Sequence, residues 1–109
     1  MKSKAFFGDE DIQEAFHKLE RGKTEDKQLH SWISRAIDDI EENAFCGTQI
    51  AKKLIPKEYL QKYDIDNLWK YDLPSAWRLL YSVAGDEVQI ISILLDWMDH
   101  KHYERKFKY

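Results

Sequence analysis

Arg78, Trp97, His100, Lys101, His102, Tyr103 and Arg105 are the side chains whose types and spacing suit work on a phosphate. The planar fork of Arg78 matches a pair of phosphate oxygens. Its alternative partner is an acidic residue, Asp72 or Asp96. Lys101 can stabilise a developing oxyanion, although it lacks the bidentate geometry of arginine. Histidine is the residue type suited to general acid–base catalysis near neutral pH, and the tail offers His100 and His102. In an extended tail these two share one side, opposite Lys101 and Tyr103; a helical tail changes that relation. Trp97 offers a flat ring for stacking. Asp99, His100 and His102 could begin a metal site, but no third strong ligand is indicated and the Cys/His spacing of zinc sites is absent. No metal or cofactor is expected.

The segment that must position these groups runs from Trp77 to Tyr109. Trp77, Leu79, Tyr81 and Val83 alternate with Arg78, Leu80 and Ser82, the period of a strand with one face on a core. Ala84-Gly85-Asp86-Glu87 is a short reversal. Val88 to Leu95 is rich in branched residues and reads as a strand buried on both faces, near the middle of a sheet. At Asp96 the composition turns polar, aromatic and basic.

Upstream, residues 5–7 make a short edge-strand candidate before Gly8, too brief to establish by pattern. Asp9 can cap a helix whose stripe is Ile12, Ala15, Phe16 and Leu19 and which ends at Gly22. Thr24 can cap a second, longer helix carrying Leu29, Trp32, Ile33, Ala36, Ile37, Ile40 and Ala44, stopped by Gly47. Residues 48–55 make a weak strand candidate, and Pro56 can open a single helical turn. Asp64 to Asn67 is turn chemistry, and Leu68 to Leu73 is a strand with Trp69, Tyr71 and Leu73 on one face. Trp69 and Trp77 are expected in the core, sharing the apolar parity of their strands. The expected fold is α+β: two N-terminal antiparallel helices packed on one face of an antiparallel meander of three to four strands, followed by a short tail.

The chain has 109 residues and reads as one domain, 1–109. No stretch approaches the length of a membrane span, and the N-terminus reaches Asp9 too soon to hold a signal-peptide core. Cys46 is alone, which suggests a reducing, cytoplasmic setting and a small, partly buried thiol. Net charge is −3, unlike an indiscriminate nucleic-acid binder. It divides unevenly: −4 over residues 1–45 and +1 over residues 46–109. A locally basic tail permits a small anion site without a broad basic surface.

The order of elements, with L68-W-K-Y-D-L-P-S-A-W-R-L-L-Y-S-V, V88-Q-I-I-S-I-L-L and the tail H100-K-H-Y103, resembles the RelE/ParE superfamily of toxin–antitoxin toxins. W77-R78-L79-L80-Y81 matches the family's Y-R-V/L-x-Y pattern, whereas Lys101 stands where an arginine is usual and Tyr103 falls one residue early. The resemblance implies a type II toxin inhibited by a cognate antitoxin in a hetero-oligomer. Some members cleave mRNA in the ribosomal A site. There the ribose 2′-OH attacks without a metal, while the phosphate's charge is stabilised and the leaving oxygen protonated. By resemblance Arg78 takes the place of a catalytic arginine and Tyr103 that of a tyrosine in proton transfer or stacking. Lys101 and His100 complete the catalytic set, with Arg105, His102 and Trp97 contacting substrate. The alternative is a non-catalytic protein on the same fold, either gyrase-inhibiting or simply partner-binding.

Overall fold

A computed structural model describes residues 1–85 and 90–107. Its elements are β1 (Lys4–Phe7), α1 (Glu10–Leu19), α2 (Thr24–Glu42), β2 (Thr48–Gln49), α3 (Lys57–Lys62), β3 (Trp69–Asp72), β4 (Arg78–Gly85), β5 (Ile90–Met98) and α4 (His100–Phe107). The fold is α+β. The sheet is larger than the expected meander, with five strands in the order β1-β5-β4-β3-β2. It is also mixed: β1 joins parallel to β5, Phe7 opposite Leu94, while the remaining pairs are antiparallel. The short edge strand expected at residues 5–7 is present as β1; three residues could not establish it by pattern, and the uncovered edge of β5 gives it a partner. The reversal expected at Ala84 to Glu87 lies partly outside the described residues, as does the start of the strand expected from Val88.

Helices cover both faces rather than one. On the first face α1 and α2 bury Phe16, Leu29, Ile33, Ala36 and Ile40 against Leu79, Tyr81 and Leu94. Burying each large side chain of that set contributes about 1.5–3 kcal/mol. On the second, α3 and α4 bury Tyr59, Tyr103 and Phe107 against Leu80, Leu95 and Met98. Leu80 already breaks the one-sided pattern expected of its strand, and this second helical layer is why. Trp69 and Trp77 pack, half-buried, against the first layer, as their parity requires.

A bulge resets β5 where its composition changes. Leu80 pairs with Asp96 and Tyr81 with Leu94, so Leu95 has no counterpart on β4. Two successive side chains therefore turn to the α3–α4 face. Leu95 enters its core, and Asp96 accepts a 2.9 Å hydrogen bond from the Tyr59 hydroxyl.

Local capping fixes the helices. Asp9 Oδ1 accepts the Ile12 N–H at 2.8 Å, the N-cap expected, while Oδ2 accepts the Tyr63 hydroxyl at 2.8 Å and lies 3.2 Å from Lys62 Nζ. Thr24 is not the cap of α2 but its first helical residue. There Asp26 Oδ2 closes the end by accepting the Lys23 N–H at 3.1 Å. After α2, the buried Tyr81 hydroxyl donates to Ala44 O at 2.9 Å and accepts the Gly47 N–H at 3.0 Å. Gly47 is required at this approach, since a Cβ there would sit 2.4 Å from the Lys70 carbonyl oxygen. No helix among the described residues is long and apolar enough to cross a membrane.

The cap gives a pH-dependent prediction. The Ile12 N–H, then the Tyr63 hydroxyl, hold the Asp9 carboxyl below its ordinary value of 3.8. Its contribution is thus present above about pH 4 and lost as pH falls through the depressed folded-state value. Asp9→Ala should cost about 1 kcal/mol at pH 7. Urea unfolding at pH 7 and pH 3 should show the gap between the two proteins narrowing in acid.

Candidate functional site

The cluster at the start of β4 is assembled by pairing and alternation. Arg78 opens that strand opposite Asp72 of β3 on one side and Met98 of β5 on the other. Lys70 and Asp72, two residues apart on β3, share a face. The ladder thus brings Lys70, Asp72 and Arg78 together: Asp72 Oδ1 lies 3.0 Å from Arg78 Nε and 3.3 Å from Lys70 Nζ. Arg78 Nε is shielded from solvent and off-line for a directed hydrogen bond to this oxygen, so the contact is an ion pair. Of the two partners expected for Arg78, Asp72 is the one found; Asp96 bonds Tyr59 instead.

The connection before Arg78 is strained. Pro74-Ser75-Ala76 carries two non-glycine residues at positive φ, 57° and 62°, closed by a 2.8 Å bond from the Leu73 N–H to Trp77 O. Positive φ at both central positions matches the twist of a two-stranded hairpin, at a steric cost to Cβ-bearing residues. It sets Asp72 directly across from Arg78.

The tail after β5 is a helix, α4, so the extended alternation of His100/His102 against Lys101/Tyr103 does not apply. Asp99 starts this helix, its Oδ1 accepting the His102 N–H at 2.9 Å and lying 2.6 Å from His102 Nδ1. The backbone donor first, then the imidazole, holds the Asp99 carboxyl below its usual range. Tyr103 and Phe107, one turn apart, point inward and stack at 4.5 Å. Tyr103 brings its ring to 5.5 Å from the Arg78 guanidinium carbon and 5.8 Å from Lys70 Nζ. Thus Arg78 and Tyr103, both expected in the catalytic set, meet. His100 and Lys101 do not join them: His100 Nε2 pairs with Glu104 at 2.8 Å, and Lys101 is exposed. The Asp99–His100–His102 set does not converge on one point, because each histidine takes its own carboxylate.

Beside this cluster lies a cleft of about 610 Å³. Trp97, His102 and Arg105, the three residues expected to contact substrate, all line it, with Trp77, Met98 and Lys106. Three carboxylates, Glu58, Asp96 and Asp99, line it too, and Lys106 Nζ is 2.9 Å from Glu58. Two fixed cations against three anions make a poor trough for a phosphate chain. Indole rings and carboxylate acceptors suit a nucleobase, which presents a π face and N–H donors. The excess positive charge sits next door, where two cations share Asp72.

Lys70, Glu58 and Lys106 are site residues that the sequence does not single out, and Asp96, expected only as a partner of Arg78, lines the cleft instead. Alternation along β3 puts Lys70 with Asp72, a readable signal. Asp96 reaches its place only through the bulge, which leaves no mark in the sequence. Cys46 is exposed rather than partly buried, and desolvation pushes its thiol up, away from thiolate chemistry. No family model, curated protein or solved structure matches the chain.

Proposed function

We propose that this chain is the toxin of a type II toxin–antitoxin system, of the RelE/ParE type, and cleaves mRNA on the ribosome without a metal. One observation carries the reading: Arg78 and Tyr103, distant in sequence, meet at 5.5 Å beside a nucleotide-sized cleft holding Trp97, His102 and Arg105. The helix pair on a sheet containing the β3-β4-β5 meander agrees with what the resemblance implies. In this mechanism a nucleobase enters the cleft between indole surfaces, and its phosphate reaches the cation pair. The 2′-OH gives up its proton to water and attacks phosphorus, and the P–O5′ bond breaks to leave a 2′,3′-cyclic phosphate. The departing O5′ takes up a proton from water, and Arg78 stabilises the charge gathered on the non-bridging oxygens. Tyr103 acts through its ring and hydroxyl beside that guanidinium. A cytoplasmic location and a cognate antitoxin partner belong to the same proposal.

A second reading, a non-catalytic interaction protein that inhibits gyrase or binds a partner, is favoured by the ion pair that occupies Arg78 and by the net charge of −3. Purified protein added to ribosomes programmed with a defined mRNA separates the two. The nuclease reading expects single-turnover cleavage within the translated codons. Intact mRNA together with inhibition of DNA supercoiling would select the second.

A further inference from the structure

We propose that Lys70 and Arg78 form the oxyanion site for a single-stranded RNA phosphate, and that the Asp72 carboxylate occupies this site until RNA displaces it. This rests on the RNA-directed reading above and adds to it a second cation and a resident competitor. Both cations converge on one oxygen, Asp72 Oδ1, at 3.0 and 3.3 Å. A carboxylate held between an arginine and a lysine stands where a phosphate oxygen would be held by the same pair.

The exposures of the three side chains give the direction of exchange. Lys70 and Arg78 keep only 22% and 17% of their side-chain surface, whereas Asp72 keeps 59%. The cations are therefore fixed by their surroundings, while the carboxylate can turn into water at little cost. The Arg78 Nε contact is out of line, which leaves the long 3.3 Å hydrogen bond from Lys70 Nζ as the directed contact on Asp72 Oδ1. The Tyr103 ring lies within 5.5 and 5.8 Å of the two cations and holds both on the α3–α4 face of the sheet. Removing the carboxylate's charge leaves two cations for an incoming phosphodiester where one of their charges is now cancelled.

The test is binding of a fluorescent 2′-O-methyl RNA oligonucleotide, which cannot be cleaved by 2′-OH attack, followed by anisotropy across a salt series. Asp72→Asn should bind about five-fold more tightly than wild type. Lys70→Gln should bind more weakly, with a slope against log salt shallower by about 0.7, the loss of one phosphate contact on a single strand. The gain from Asp72→Asn should vanish in a background of Lys70→Gln and Arg78→Gln, with circular dichroism verifying the fold of each variant. Unchanged or weaker binding by Asp72→Asn would overturn the proposal, as would no binding by either protein. So would a gain that persists without the two cations, since it would then be a general charge effect. mRNA left intact on programmed ribosomes by wild type would remove the nuclease reading while these binding arms still decide the site. Flat binding arms beside intact cleavage would remove the site alone.

Discussion

Arg78→Ala is expected to lower single-turnover cleavage of ribosome-bound mRNA by about 10²–10³-fold, the scale of losing one fixed donor to a developing oxyanion. The loss should appear in the chemical step, because attack of the 2′-OH gathers charge on oxygens that only a pre-aligned cation can meet at no reorganisation cost. Stability should fall only modestly, by the packing of a largely buried side chain against the Tyr103 ring. Asp72 is 59% exposed, so the carboxylate left behind is hydrated rather than stranded. Arg78→Lys keeps the charge without the fork and should fall between the two. Chemical quench at saturating protein, with thermal unfolding alongside, reads both quantities. A wild-type rate in Arg78→Ala would leave the guanidinium as an ion-pair partner of Asp72 and nothing more.

Tyr103→Ala should have the largest effect on structure. Its ring is only 3% exposed and stacks on Phe107 in the second core layer, so truncation should cost about 3–5 kcal/mol. The damage should concentrate in α4. Eight residues cannot hold a helix without tertiary contacts, and only Tyr103 and Phe107 of this helix are buried. Undocking would carry His102, Arg105 and Lys106 away from the cleft, so RNA affinity should fall together with stability. Urea unfolding gives the total, and amide exchange should show loss of protection in residues 100–107 ahead of β4. Tyr103→Phe separates the ring from its hydroxyl. It should keep α4 docked, and a drop in cleavage with the fold intact would assign the hydroxyl to proton transfer. Equal exchange across α4 in wild type and Tyr103→Ala would contradict the docking role.

The helices were legible where a stripe at helical spacing was long enough to outweigh local noise. In α2, Leu29, Ile33, Ala36 and Ile40 repeat over several turns and are all buried. The pairing of β3 with β4 could be read from alternation on either side of a Pro-containing turn. β1 was legible only as a candidate at residues 5–7, because so short a segment with half-exposed side chains defines no period, and its parallel pairing with β5 left no mark. α4 was hidden for another reason: only its two inward aromatics mark it, amid charges that also fit a solvated tail. The bulge at Leu95 was invisible, since a register slip between strands depends on both partners. These limits carry over to the site. The Arg78 ion pair with Asp72 was foreseen as one alternative because both lie on strands that face each other. The meeting of Arg78 with Tyr103, and the turning away of His100 and Lys101, depend on how α4 docks. One helical turn there decides which side of the tail is inside.

The most direct test of the central claim is a map of mRNA 5′ ends after induced expression of this chain and of Arg78→Ala at matched protein levels. The account predicts new ends inside translated codons with the wild-type chain, absent with the variant. Intact mRNA alongside full growth inhibition by soluble wild-type protein would contradict it and make the chain a binding protein that reaches another target.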